Sequence, residues 1–133
     1  MAKIVSLSEA ASIALHSMIL VGRSKKASIN VDEIAEICGS SRHHVAKVMQ
    51  RLAKEGFVGS FRGPNGGFFL QKPSEEITLL EIYESIEGKV TASECPMDKQ
   101  VCNFDKCFMN NITRDLTFQF RDYMKSQTLK HYL

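Results

Sequence analysis

Several features that mark other classes of protein are missing from this 133-residue sequence. No apolar run approaches the roughly 20 residues needed to cross a bilayer, so no membrane-spanning segment is expected. The first residues, MAKIVSLSEAAS, lack the uninterrupted apolar core of a signal peptide, and export is not indicated. Low-complexity segments and internal repeats are also missing. The expected compartment is the cytoplasm, where cysteines stay reduced and bind metal more readily than they form disulfides.

Catalytic motifs are missing as well. The sequence has no nucleophile elbow, no phosphate-binding loop and no pair of carboxylates at catalytic spacing. An enzyme or an electron carrier is therefore the least favoured function class. Hydrophobic residues make up 44% of the chain and charged residues 24%, which is typical of an ordinary globular protein. The length predicts one compact unit with a sizeable core.

The most informative stretch is Asn30–Leu70, which predicts two short helices followed by two short strands. The first helix begins with a capping-box pattern, in which the side chains of Asn30 and Glu33 satisfy each other's free backbone donors. This helix is expected to carry Ile34 and Ile37 inward and to end at Gly39. The short interval before the next cap predicts a tight turn between two helices.

The second helix of this stretch begins at the cap candidate Ser41 and ends before Gly56, a position that favours a left-handed residue. Its apolar residues recur at three- and four-residue spacing, which predicts one buried face: Val45, Val48, Met49 and Leu52. The opposite face carries polar and basic side chains: Arg42, His43, Lys47, Arg51 and Lys54.

After Gly56 the period of the apolar residues changes to two. Apolar side chains flank a glycine-rich turn at residues 63–67, which predicts a β-hairpin: Phe57, Val58, Phe61, Phe68, Phe69 and Leu70. Ile29 is expected to add a short strand to this sheet. Helix, turn, basic helix and hairpin together predict a winged helix-turn-helix, whose second helix enters the major groove of DNA.

The charge distribution supports a DNA-reading role. Between Ser41 and Arg62 there are five Lys and Arg residues against one acid, whereas the whole chain has a net charge of only +2. The residues expected at the DNA are Ser41, Arg42, His43, His44, Lys47 and Arg51 on the helix, and Arg62, Gly63, Pro64, Asn65 and Gly66 in the wing. His44 is expected to pack against the turn. The alternative is a solvated helix face with no partner.

Three further helices complete the predicted fold, which is mainly α with a small β-hairpin wing. The first runs from Ser8 to about Gly22, and another is capped by Thr78 and ends at Gly88. From Phe108 a long helix carries more apolar surface than one small domain needs, on Phe108, Ile112, Leu116, Phe120 and Tyr123. It is interpreted as a dimerisation helix, and a two-fold dimer would match a palindromic operator in double-stranded DNA.

Three of the four cysteines lie within 13 residues, spaced C-x6-C-x4-C. The segment has little helix or strand pattern, so it is interpreted as a loop on which thiolates converge on a metal. Thiolates suit zinc and iron–sulfur clusters. The C-x2-C pairs of common zinc and ferredoxin sites are missing, which favours a cluster held by three cysteines and one ligand from elsewhere. The predicted organisation is therefore a DNA-binding unit at 1–88, a sensor loop at 89–107, and a dimerisation helix and tail at 108–133.

The stretch GFVGSFRGPNGGFFLQKPSEEITLLEIYESIEG resembles the wing and following helix of the Rrf2-type winged-helix transcription regulators. This bacterial family includes iron–sulfur cluster regulators and nitric-oxide-sensitive repressors. The resemblance extends from about Leu7 to Tyr123 and is most specific at Arg62–Phe68. It implies a homodimeric repressor in which Cys95, Cys102 and Cys107 hold a [2Fe–2S] or [4Fe–4S] cluster.

The sequence departs from the family pattern in two ways. The family's C-x5-C-x5-C spacing is shifted by one residue, and a histidine that follows the third cysteine in the cluster regulators is replaced by Asn110. The fourth ligand is therefore open, with Glu9, Ser12 and Cys38 as candidates. A cluster-free regulator that senses through thiol oxidation, zinc or a protein partner is the alternative function.

Overall fold

The computed structural model describes residues 1–91, 97 and 102–133. Within them the α-helices are α1 (Glu9–Arg23), α2 (Val31–Cys38), α3 (Arg42–Lys54), α4 (Leu79–Glu87) and α5 (Ile112–Ser126). The strands β1 (Val58–Phe61) and β2 (Gly67–Leu70) pair antiparallel, and single 3-10 turns occupy Ser74–Glu76 and Leu129–Tyr132. The mainly helical architecture with a hairpin wing confirms the predicted fold class. No helix of the described part is long and apolar enough to cross a membrane.

The predicted caps begin four of these helices. In each of α1 to α4, the residue before the helix accepts a hydrogen bond from the backbone N–H three positions later, over 2.9–3.1 Å; these residues are Ser8, Asn30, Ser41 and Thr78. The capping box at Asn30 is only half formed. The Glu33 carboxylate accepts from the Lys26 ammonium at 2.7 Å and from the Asn30 side-chain amide at 3.1 Å.

Helix α1 lies at the centre of the fold and packs against α2, α3, α4 and the wing. Its buried side chains are Ala11, Ile13, Ala14, Ser17, Met18 and Val21. Leu15 and Ile19 of the same helix are only half-buried. The predicted buried face of α3 is confirmed in full, because all four of its members lie in the core. Each fully buried aliphatic side chain contributes roughly 1.5–3 kcal/mol of hydrophobic stabilisation.

One predicted core residue is wrong. Ile37 is 63% exposed, whereas Ile34 is completely buried. Helix α2 turns Val31, Ala35 and Cys38 toward the core together with Ile34. With about 3.6 residues per turn, these four share one face and Ile37 falls outside it.

The wing sheet gains the predicted third member. Ile29 donates to the Phe68 carbonyl at 3.0 Å and accepts from the Phe68 N–H at 2.7 Å. The two chains approach so closely here that a Cβ at Gly67 would lie 2.5 Å from the Ile29 carbonyl oxygen. Glycine is therefore required at this position if the bridge is to form.

Helix α5 begins at Ile112 rather than at the predicted Phe108. Asn110 and Asn111 have positive φ angles of 49° and 62°, in the left-handed region, so the backbone there forms a turn. The Asn110 N–H donates to the Cys107 carbonyl at 3.0 Å within this turn.

After α5 the chain returns to the winged helix through residues 127–133, here called the return segment. The Gln127 carbonyl accepts a hydrogen bond from the Leu79 N–H at 2.9 Å, and the Leu129 N–H donates to the Ile77 carbonyl at 2.8 Å. Leu129 is completely buried and belongs to the same core as the α3 side chains. Side chains from both sides of the predicted 89–107 segment therefore form one hydrophobic core.

Candidate DNA-reading surface and thiol site

The exposed face of α3 lies opposite the buried one. His43, Lys47, Gln50 and Lys54 are all exposed and follow the spacing i, i+4, i+7 and i+11, which places them in one row. A helix with a buried apolar row and an exposed cationic row can lie in a DNA major groove while its other side stays in the core. Gln50 was not predicted as a site residue, although its seven-residue interval from His43 was a readable signal. Its amide can pair bidentately with an adenine edge.

The two arginines of α3 have different surroundings. The Arg42 Nε lies 2.6 Å from Asp32 Oδ1, and both side chains are well exposed. Such a surface pair contributes at most about 1 kcal/mol, so DNA can displace Asp32. The Arg51 Nε instead donates to the Ser85 carbonyl of α4 at 3.0 Å. Arg51, predicted at the DNA, is thus placed where it ties α3 to α4.

Two other predicted residues at the start of α3 have local partners. The Ser41 hydroxyl is occupied as the helix cap. His44 is half-buried, and its Nδ1 lies 3.3 Å from Oε1 of Glu9 in α1. The first turn of α1 therefore contacts the first turn of the helix that carries the basic row.

The wing tip exposes the predicted residues Arg62, Gly63, Pro64 and Asn65, while Gly66 is half-buried. The Gly66 N–H donates to the Gly63 carbonyl at 2.9 Å and closes the turn. A Cβ at Gly66 would lie 2.5 Å from the Phe61 carbonyl oxygen, so the turn needs glycine there. The tip presents one cationic side chain and exposed backbone to a neighbouring molecule.

The predicted thiol site is described only in part. Cys95 lies outside the described residues; Cys102 is half-buried and Cys107 exposed, and both are free thiols. Among the described residues no group of three or more His, Cys, Asp or Glu side chains is arranged to hold a metal ion. In chemistry the donors fit an iron–sulfur cluster, because thiolates are its usual ligands.

The three candidates for the fourth ligand meet in one cavity. This cavity of about 430 Å³ lies between the start of α1 and the end of α2, and its lining includes Glu9, Ser12 and Cys38. The exposed Ile37 contributes to its rim. Burial raises the pKa of the Cys38 thiol, so this cysteine holds its proton more tightly than an ordinary one. Sequence reasoning named these residues singly, and the fold brings them together.

The apolar stripe of α5 and the turn before it remains uncovered in the single chain. Phe108 is 65% exposed, Ile112 44%, Leu116 40% and Tyr123 56%, while Phe120 packs edge-on against Tyr83 of α4 with ring centroids 5.1 Å apart. Four large exposed apolar side chains along one stripe form the kind of patch that marks a protein–protein contact.

Comparison with known proteins agrees with this architecture. Residues 7–133 match the model of the Rrf2 family, described as an iron-dependent transcriptional regulator. The chain is 29% identical over 117 residues to the HTH-type transcriptional regulator IscR of Pectobacterium atrosepticum, covering 88% of this chain and 67% of that one. It is also 30% identical over 120 residues to a putative HTH-type transcriptional regulator of Aquifex aeolicus, covering 88% and 83% of the two chains.

Solved structures extend the likeness to the fold. CymR, the global cysteine regulator of B. subtilis, superimposes with a TM-score of 0.77 at 20% identity, covering 96% of this chain and 95% of that one. Staphylococcus aureus CymR gives a TM-score of 0.73 at 25% identity, covering 93% and 94%. The structure of T. potens IscR gives 0.71 at 20% identity, covering 96% and 85%. With its basic α3 and its glycine-tipped wing, the chain belongs to the Rrf2 family of DNA-binding transcription regulators and is not an enzyme.

Proposed function

We propose that this regulator is a cytoplasmic, homodimeric repressor that binds a palindromic operator through α3 and the wing. In this proposal His43, Lys47 and Gln50 face the major groove, Arg42 exchanges Asp32 for a base or a phosphate, and the wing tip contacts the adjacent backbone. The observation that carries it is the single exposed row of cationic and polar side chains on a helix whose opposite face is buried. The uncovered stripe of α5 supports the dimer, since a second copy would cover it.

We further propose that Cys95, Cys102 and Cys107 hold an iron–sulfur cluster that switches operator binding. A bound cluster would supply a centre that reacts with oxidants or nitric oxide and is lost or altered as a result. Cys102 and Cys107 precede α5 directly, so a constraint on these thiols is also a constraint on the dimerisation helix. The cavity containing Glu9, Ser12 and Cys38 supplies the fourth ligand, either from the same subunit or from its partner.

In this proposal the start of α1 links the thiols physically to the DNA-reading helix. The Ser8 hydroxyl donates to the Glu87 carboxylate, in the last turn of α4 and just before the predicted sensor loop. The next residue, Glu9, contacts His44 of α3. A ligand that draws Glu9 away from His44 would therefore act on both the loop and α3 through one turn of helix.

The cluster is tested by purification without oxygen. We expect absorbance at roughly 320–460 nm together with iron and acid-labile sulfide, all lost in Cys102→Ser and in Cys107→Ser. Cys38→Ala and Glu9→Gln then test the open ligand by their effect on the same spectrum. A colourless protein without iron and sulfide would reject the cluster.

DNA reading is tested separately on duplexes of about 30 base pairs, selected from a random library by the full chain. We expect Arg42→Ala to weaken binding by about 1–3 kcal/mol and Lys47→Ala to reduce the salt slope by about 1. Lys130→Ala, an exposed cation in the return segment, is the matched control. Unchanged binding by both α3 variants would reject this surface as the DNA contact.

A cluster-free thiol sensor is the second candidate function. It is favoured by the shifted cysteine spacing and by Asn110 in place of a histidine. The similar S. aureus CymR has been solved in an oxidised form, with a TM-score of 0.74 at 25% identity. Operator binding that changes with peroxide and recovers with dithiothreitol, in a protein without iron and sulfide, would support this candidate over the first.

A further inference from the structure

The outer face of the wing carries an unusual set of side chains. Gly59 pairs with Phe69 across the two strands, and Phe61 pairs with Gly67. Paired residues point to the same face of a sheet, so this face carries two phenylalanines and two glycines. Phe61 is 51% exposed, and its ring centroid lies 4.6 Å from that of Phe69, with 31° between the ring planes. The two rings are diagonal neighbours in contact.

Each of the two phenylalanines is paired across the hairpin with a glycine. A Cβ on Gly59 would be 2.5 Å from Cζ of the Phe69 ring and about as close to Oε1 of Gln71, so both side chains lie over the Gly59 backbone. Glycine weakens a strand because it has no side chain to pack, and an aromatic ring laid over it restores the lost contact. On this face the contact between the Phe61 and Phe69 rings joins β1 to β2 near the tip.

The position of this contact matters because the hairpin is small. Each strand has four residues, and a two-stranded hairpin alone is marginally stable in water. Its inner end is held by the buried Val58. The bridge from Ile29 joins β2 at Phe68, one pair short of the outer end, and it holds β2 rather than β1. The outer end begins at Phe61, which is followed directly by Arg62 and the turn. A further side-chain contact at the tip, from the Ser28 hydroxyl to the Asn65 carbonyl, is long at 3.4 Å.

We propose that Phe61 and Phe69 are positioning residues that hold the wing tip in the orientation in which Arg62 meets DNA. The rings brace the outer end of the hairpin and do not themselves contact the DNA. When the binding orientation is populated only in part, the apparent dissociation constant rises by the inverse of that fraction. This inference depends on the proposed contact of Arg62 with DNA.

The test measures binding of selected operator duplexes by fluorescence anisotropy over a range of salt concentrations. Phe61→Leu and Phe69→Leu remove one ring each, Phe61→Tyr keeps the ring, and Ser60→Ala is a control on the opposite face of the same strand. We expect each leucine variant to weaken binding about three- to tenfold, and the tyrosine variant and the control to bind as wild type. Hydrogen exchange at the Gly66 amide, which closes the turn, should be faster in the leucine variants only.

A double-mutant cycle with Arg62→Ala separates the explanations. In the Arg62→Ala background, Phe61→Leu should change affinity by less than about twofold, because no positioned cation remains. An equal loss in both backgrounds would mean that Phe61 contacts DNA itself, and would overturn the inference. If both leucine variants bound as wild type while Arg62→Ala bound weakly, the inference would be overturned but the proposed wing contact would stand. Wild-type binding by Arg62→Ala would overturn the proposed wing contact as well.

Discussion

The helices on either side of the predicted sensor loop begin in different ways. Helices α1 to α4 each start with a Ser, Asn or Thr side chain that accepts a backbone N–H. Helix α5 starts at Asn111, which is in the left-handed conformation and makes no side-chain capping bond. A missing cap leaves a helix start about 1 kcal/mol less stable. Each helix of the DNA-reading part is therefore stabilised at its start by a side-chain cap. Helix α5 has no such cap, and it begins five residues after Cys107.

Burial shows the same difference. Helices α1 and α3 each bury several large apolar side chains, among them Ile13, Met18, Val45 and Leu52, but α5 buries only Met124 and exposes its apolar stripe. The far end of α5 is fixed by the return segment, whereas its start lies five residues after Cys107 and has no side-chain cap. In the proposed function, this less stabilised start of α5 is the part that would respond to a ligand on the thiols and to a second copy of the chain.

The largest expected effect tests whether the return segment is part of the core of the winged helix. Leu129→Ala removes a completely buried side chain, and we expect it to lower the free energy of unfolding by about 2–5 kcal/mol. Chemical denaturation followed by circular dichroism measures this change. The control is Leu133→Ala, at a side chain that is 47% exposed, with an expected effect below about 1 kcal/mol. If Leu129→Ala left the winged helix fully stable, the return segment would not belong to its core.

A charge on α5 should separate assembly from folding. Leu116→Glu places a carboxylate in the exposed apolar stripe, and we expect the proposed dimer to dissociate while the free energy of unfolding of the chain changes by less than about 1 kcal/mol. Size-exclusion chromatography with light scattering reports the mass. Lys125→Glu, at an exposed position on the opposite side of α5, should leave the mass unchanged. A Leu116→Glu protein that stays dimeric would show that this stripe is not the interface.

A smaller effect on stability is expected from a buried polar group in α1. The hydroxyl of Ser17 in α1 is completely buried and makes no hydrogen bond among the described residues. Ser17→Ala removes this unpaired polar group and introduces a better helix former, so we expect a stabilisation of about 1 kcal/mol. Thermal melting measures it. Ser126→Ala, which removes a hydroxyl bonded to the Tyr123 carbonyl, should not stabilise the protein.

The smallest expected effect is a difference in reactivity between a thiol of the winged helix and a thiol in the turn before α5. Cys38 is half-buried and its pKa is raised by burial, whereas Cys107 is exposed. Alkylation needs the thiolate, so we expect iodoacetamide to modify Cys107 severalfold faster than Cys38 at neutral pH. The Cys38 rate should keep rising above pH 9.0, the ordinary value for the thiol, because its raised pKa is reached only there. Mass spectrometry of digested samples gives both rates, and equal rates would contradict the assigned burial.

The features that sequence predicted well depend on residues close together along the chain. The caps at Asn30 and Ser41 and the buried row of α3 follow from local spacing. The prediction that Ile37 is buried was wrong because α2 is short, and the orientation of a short helix is decided by what packs against it. The start of α5 was misplaced because a repeating apolar stripe extended past two asparagines that adopt left-handed turns.

The features that sequence could not predict depend on distant partners. In the sequence Arg51 looked like the other exposed cations of α3, yet its guanidinium reaches a carbonyl 34 positions away. Leu129 lies in a short stretch without apolar periodicity, and only the fold shows that it completes the core. Glu9 and Cys38 were named as separate ligand candidates, and their shared cavity follows from how α1 crosses α2.

The return segment also has a consequence for how the protein is made. The Arg23 side chain donates to the carbonyl of Tyr132, a contact that spans 109 positions, and Leu129 packs beneath residues synthesised long before it. Contacts of such long range slow folding and form late. A nascent chain that has reached only the wing therefore lacks part of its core. We expect the DNA-reading head to finish folding only after residues 129–132 have been translated, and therefore after the segment that bears the thiols.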